Sequence, residues 1–257
     1  MWELYDALIA GIPPECTVDD LVCGAYSVIV KSNESCGFAG TIPGDSRPES
    51  WKKYCGMPLR DLAECIKSWN FVEASIGLAA VNAWYNTPAC AGAYGIPLAA
   101  AKQTEDRKSD PFIMYQNMIR DKNVCVVGHF PYLDKLFAPV CNLAIIETEP
   151  LEGDYPESAA AYLLPDAEYV FITCASLVYK SLPGYLSLCP DASVVLVGPS
   201  TPLAPVLFSF GIDDISTFII QDAGHAEDIA KGLSQDRIYT TGRKVSLKKE
   251  VWAASQL

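Results

Sequence analysis

What this chain lacks narrows its chemistry first. Ten of its 257 residues are cysteine, at positions 16, 23, 36, 55, 65, 90, 125, 141, 174 and 189, yet no two stand in C-x-x-C spacing. The usual zinc and iron–sulfur signatures are therefore missing. Two histidines, His129 and His225, are too few for a histidine-rich metal site. No basic run is longer than the pair Lys248-Lys249, and the formal net charge is -12. Phosphate neutralisation needs a basic surface, so nucleic acid is not an expected partner. An anionic membrane surface would repel such a chain. No apolar run reaches the roughly 18 residues of a spanning helix. The opening MWELYDALIAGIPPE has neither the basic start nor the long apolar stretch of a secretory signal. These absences predict a soluble, cytoplasmic protein whose thiols are free. Cys125 and Cys174, in or just after apolar runs, read as small core residues.

Half of the residues are apolar, enough for one large domain or two small ones with real cores. The second half alternates. Apolar runs at 124–127, 143–146, 169–173, 194–197 and 218–220 are separated by stretches with helical spacing. Short continuous apolar strands between helices predict a parallel sheet covered on both faces. Residues 109–257 are therefore read as a Rossmann-like α/β domain. The end, RIYTTGRKVSLKK, suggests an antiparallel strand pair turning near Thr241 and Gly242.

The first half reads differently. Trp2, Tyr5, Leu8 and Ile9 share one helical face, and Gly11 with two prolines ends that helix. Residues 20–43 have ribbon character: AYSVIVKS alternates, SNES supplies a turn, and CGFAGTI returns. Leu59, Leu62, Ile66 and Trp69 follow helical spacing. A further helix from about 71 to 84 is apolar almost all round and should be buried. Residues 1–108 are read as a small α+β domain, joined to the second near TEDRKSDP, residues 104–111.

The residues that bear chemistry cluster at the expected strand ends. Gly128 closes the first strand in VVGHFP, as in a nucleotide-binding βα unit. Phe130 and Leu133 stand where that unit would carry further glycines, so a dinucleotide cradle is not expected. Glu147 ends the second strand, 19 residues after Gly128, where a ribose-binding acid sits in such folds; a strand-ending acid in solvent reads equally well. His129 lies just past a strand's carboxyl end, where open α/β sheets bind ligands, and its pKa range suits acid–base work. Its alternative role is to cap the segment that follows. Gly198, Ser200 and Thr201, with Pro202, have the composition of a helix start and thus of an anion site, or of simple caps. Thr173 and Ser176 in TCAS repeat that pattern. Glu73, within the apolar helix of the first half, either projects across the domain junction as a general acid or base, or occupies an exposed position. Glu149, Glu152, Asp154 and Glu157 form an acidic run with the oxygen ligands for a hard cation, but it is read chiefly as solvated. His225, in QDAGHAED, reads as a surface turn.

SWNFVEASIGLAAVNAWYN, DPFIMYQN, VVGHFP, EGDYP, FITCAS and VGPSTPLAPVLF together resemble the proteins grouped as "putative heavy-metal chelation". The resemblance spans nearly the whole chain. It implies a first domain folded like the N-terminal domain of enolase, then a Rossmann-like domain with partial likeness to methyltransferases, and a site in the cleft between them. It does not imply enolase chemistry, whose catalytic centre lies in a barrel domain that this chain lacks. The implied roles are handling of heavy metals, or condensation or hydrolysis of flavin-, pterin- or siderophore-like molecules. The alternatives are a non-catalytic carrier of a metal chelate and a methyltransferase-like enzyme. On this reading His129 and Glu73 are the acid–base candidates. Gly128, Glu147, Thr173, Ser176, Gly198, Ser200 and Thr201 would hold a nucleotide-like or pterin-like ligand or a chelated metal. The expected partner is that small molecule, with a homodimer left open.

Overall fold

A computed structural model describes residues 2–44, 54–98 and 109–255. Residues 104–108, most of the expected domain junction, lie outside that set. The described chain has two separate sheets, one of three strands and one of seven.

The small sheet is an antiparallel meander of β1 (Asp20–Cys23), β2 (Ser27–Ser32) and β3 (Ser35–Gly40). Asn33 and Glu34 form the two-residue turn between β2 and β3, both with positive φ. Such a turn matches the right-handed twist of the strands it joins. Around the sheet lie α1 (Glu3–Ala10), α2 (Leu59–Ala63), α3 (Phe71–Tyr85) and α4 (Pro88–Ala93). The Asn70 side chain caps α3 by accepting the Val72 and Glu73 N–H groups. This helix is buried from Ala74 to Ala83, as its apolar surround requires.

The large sheet has the spatial order β10-β9-β8-β7-β4-β5-β6. In it β4 (Asn123–Val127), β5 (Asn142–Glu147), β7 (Tyr169–Thr173), β8 (Ser193–Val197) and β9 (Asp214–Ile220) contain the five apolar runs. These five and the two-residue β6 (Tyr155–Pro156) are parallel. Between and beyond the strands run α5 (Pro111–Tyr115), α6 (Leu133–Phe137), α7 (Ala160–Leu163), α8 (Ala175–Tyr179), α9 (Leu182–Leu188), α10 (Ala223–Ala230) and α11 (Lys249–Ser255). Period two divides the sheet's side chains between its faces. Val124, Val126, Phe171, Val195 and Val197 pack with Phe112, Leu133 and Phe137 of α5 and α6. Their neighbours Cys125, Val127, Val170, Ile172, Val194 and Leu196 join the larger core with α1, α2 and α3.

Two expectations are corrected. The chain end supplies one strand, β10 (Gly242–Lys248), instead of a self-contained pair. It pairs antiparallel with β9 along all seven residues and so covers an otherwise bare, wholly buried edge strand. Residues 201–204 are not helical, and a 3-10 turn begins only at Pro205. Thr201 and Pro202 therefore do not open a helix. Asn86, which caps the carboxyl end of α3, engages that segment instead at the Thr201 carbonyl and the Leu203 N–H.

Candidate functional site

The chain runs from β4 to β5 on one side and later returns to β7 on the other side of β4. Open α/β sheets bind ligands in the crevice outside such a reversal. Here the crevice is closed. Gly128 has φ 108°, and a Cβ built on it would come within 2.9 Å of the Thr173 Cβ. Phe130, two residues on, stacks edge-on against Phe112 with ring centroids 4.8 Å apart. The backbone approach that a pyrophosphate needs is thus filled by protein.

The open space lies further along the carboxyl edge, towards β9 and β10. A cavity of about 770 Å³ is bounded there by both halves of the chain. Phe38 comes from the small sheet, Phe130 and Tyr132 from the turn after β4, Gly198 from the end of β8, Phe218 from β9 and Tyr239 from the 3-10 turn before β10. Its charged heart is the pair Lys244 and Asp110, with Nζ 2.9 Å from Oδ2 and both side chains largely buried. Asp110 also accepts the Tyr132 hydroxyl at 3.0 Å and, through Oδ1, the Phe112 N–H at 3.1 Å. Its position before Pro111 makes it the cap of α5. The Lys244 ammonium sits 4.8 Å from the centre of the Tyr239 ring. Aromatic walls around a few fixed polar groups are the composition of a small-molecule site.

The candidate residues from the sequence divide into three groups. Gly198 alone among them lines this cavity. Its neighbours Ser200 and Thr201 form the junction between the halves. The Ser200 hydroxyl accepts the Gly40 N–H at 3.0 Å, and its carbonyl accepts Asn82 Nδ2 at 2.8 Å. The Thr201 carbonyl accepts Asn86 Nδ2 at 2.9 Å and also the Thr217 hydroxyl. Thr173 and Ser176 settle the start of α8: Thr173 Oγ1 accepts the Ala175 N–H, and Ser176 donates to the Thr173 carbonyl at 2.7 Å. Beneath Gly198 lies Cys174. Burial pushes its thiol pKa up, partly offset by hydrogen bonds from Ser200 and Thr201.

A second group surrounds Gly128. Glu147 accepts the His129 N–H at 2.7 Å through Oε2, and the Thr148 N–H and hydroxyl through Oε1. Burial raises the pKa of its carboxyl, but these hydrogen bonds outweigh burial and hold it below the ordinary value. Both oxygens are engaged with protein, which leaves the ribose-binding role without support. His129 Nδ1 lies 2.9 Å from Asp154 Oδ2, and Asp154 accepts the Leu151 N–H as well. His129 thus ties down the acidic loop. It meets neither the α3 carboxylate nor the 198–201 segment in any described contact. Glu73, the third group, is at the far end of α3 and accepts the Ser68 hydroxyl at 2.7 Å. His129 and Glu73 are not brought together at the cavity.

Sequence reading passed over Asp110, Lys244 and Tyr239, and also Arg237, which lines the same cavity. Asp110 before a proline was legible as a helix cap, and Lys244 as a polar position of an alternating strand. Nothing local signalled that they meet, 134 residues apart.

A family model described as putative heavy-metal chelation matches residues 110–248, and a second with the same description matches residues 5–85. The chain belongs to this family. A crystal structure of a family protein of unknown function from Desulfitobacterium hafniense DCB-2 is 47% identical, with a TM-score of 0.89, covering 97% of this chain and 99% of that one. Another family protein of unknown function, from Pyrococcus horikoshii, shares the fold at 18% identity and TM-score 0.75, covering 95% and 98% of the two chains. No curated protein matches. The heavy-metal chelation family is thus established for both halves, and the two-sheet α/β architecture is the family's own. Among the described residues no group of three or more His, Cys, Asp or Glu side chains is arranged to hold a metal ion. No helix among them is long and apolar enough to cross a membrane.

Proposed function

We propose that this member of the heavy-metal chelation family binds a small aromatic or heteroaromatic molecule in the cavity at the carboxyl edge of the large sheet. A metal, on this reading, arrives as a complex of that molecule. The observation that carries it is the cavity itself: about 770 Å³, walled by Phe38, Phe130, Phe218 and Tyr239, with the Lys244–Asp110 pair fixed among the rings. That volume is in the range of ordinary ligand pockets. Ring faces give planar molecules offset-stacked and edge-on contacts. Pterins, flavins and catechol-type chelators all suit such a wall. A dinucleotide or S-adenosylmethionine held at the strand reversal is disfavoured by the Gly128–Thr173 contact.

The reading is one of binding. It uses neither His129 nor Glu73 as an acid–base group, because neither lines the cavity. The test is a thermal-shift and calorimetric screen with pterin, flavin mononucleotide, catechol and their iron and zinc mixtures. A probe at 100 times its dissociation constant should add about 2.7 kcal/mol of stability. Tyr239→Ala, which strips one ring from the wall, should weaken the same probe. Failure of every aromatic probe to shift the transition would defeat the proposal, as would unchanged binding to the Tyr239 variant.

A further inference from the structure

We infer that the cavity selects aromatic molecules carrying a carboxylate, and that Arg237 is the residue that selects them. The inference rests on the proposed reading of the cavity as a ligand site and adds the charge of the ligand. It begins from the charged groups in the cavity wall, which are Asp110, Asp236, Arg237 and Lys244. Lys244 and Asp110 neutralise each other at 2.9 Å. Asp236 lies 3.0 Å from His225 Nε2, an ion pair only when that ring is protonated, and its N–H is held by the Ser234 hydroxyl at 3.2 Å. That leaves Arg237, whose guanidinium has no hydrogen bond or ion pair among the described residues.

Its backbone is nonetheless fixed. The Arg237 carbonyl accepts both the N–H and the hydroxyl of Thr240 at 2.9 Å, closing the 3-10 turn that carries Tyr239. The same turn therefore brings to one cavity wall an aromatic ring and a cation with no partner among the described residues. The chain as a whole carries a net charge of -12, so a cation in the wall is needed to offset the overall repulsion of an anion. A guanidinium offers a planar fork that matches a carboxylate with two parallel hydrogen bonds. The ring system would sit among Phe38, Phe130, Phe218 and Tyr239, with its carboxylate at Arg237. Ring hydroxyls beside that carboxylate would make such a molecule a chelator, in keeping with the family description.

Two matched pairs of probes test this by calorimetry on the full chain: 2,3-dihydroxybenzoate against catechol, and pterin-6-carboxylate against pterin. The wild type should bind the acid of at least one pair ten-fold or more tightly than its neutral twin. That preference should fall several-fold in 0.5 M salt. Arg237→Gln, at an exposed position, should keep the fold and lose the preference. Equal affinity for acid and neutral twin in the wild type would overturn the inference and leave the cavity reading standing. So would a preference that survives Arg237→Gln. Binding of none of the four probes would count against the cavity reading and this inference together.

Discussion

Asn86 holds Leu203 across the junction of the two halves: its Oδ1 accepts the Leu203 N–H at 2.7 Å. Its Nδ2 at the same time donates to the Thr201 carbonyl at 2.9 Å and the Thr217 hydroxyl at 3.0 Å. One turn earlier, Asn82 donates to the Phe38 and Ser200 carbonyls, each at 2.8 Å. Residues four apart share a helix face. One amide within α3 and one at its carboxyl cap thus replace a helix start as the partners of residues 200–203.

Asn86→Ala should be severely destabilising. Both side-chain atoms are committed in a buried setting, and each orphaned buried partner costs about 1–3 kcal/mol. Urea unfolding should show a loss on the order of 3 kcal/mol at unchanged m-value. A loss below about 1 kcal/mol would mean that water replaces the amide and that the junction is looser than described.

Gly198→Ala should be worse tolerated than an alanine at most cavity positions. The residue has φ 135°, and a Cβ there would collide with the Cys174 sulfur. The double variant with Cys174→Ala removes the sulfur but not the backbone strain, so it should recover only part of the lost thermal stability. Full recovery would show that the left-handed backbone costs nothing here, and no recovery that the sulfur is not the obstacle.

Lys180 gives the fold a pH signature. It is buried, with Nζ donating to the Val178 carbonyl at 2.7 Å and to the Ser68 carbonyl, between the Trp69 and Phe71 rings at 5.8 and 5.6 Å. Burial lowers its pKa from 10.5 to about 8. Above pH 8 the folded chain has shed a proton that the unfolded chain keeps until 10.5, so this group makes folding more favourable as pH rises through that window. Buried thiols such as Cys36, raised to about 12, act in the opposite direction. The comparison is therefore made against Lys180→Met, which retains them. From pH 7 to 9.5 the wild type should gain on the variant, by about 1.4 kcal/mol per pH unit at most. A gap independent of pH would refute the lowered pKa.

Thiol labelling should be ordered by exposure. Cys55 is exposed, whereas Cys16, Cys36, Cys125, Cys174 and Cys189 are buried. Burial also raises the Cys125, Cys141 and Cys189 thiols to about 11, which depletes the reactive thiolate. Iodoacetamide at pH 7.5 should modify Cys55 first by mass spectrometry. Early modification of Cys174 would show that the 198–201 segment opens readily.

The sequence by itself determined the elements whose signal is local. Continuous apolar runs gave the five central strands, because a strand covered on both faces has no polar side to display. Residues 71–84, apolar almost all round, announced a buried helix for the same reason. The turn within SNES followed from alternation broken by a short polar stretch. What only the tertiary structure decided depends on partners distant in the chain. Thr201 and Pro202 have the composition of a helix start, but Asn86, 115 residues away, supplies better partners to that backbone. Gly128 looks like the opening of a cofactor cradle until Thr173 is packed against it. Asp110 and Lys244 read as a cap and an edge-strand cation until folding brings them within 2.9 Å of each other inside one cavity. Periodicity records which face of an element is buried. It does not record which two polar groups share the space beyond the strand ends.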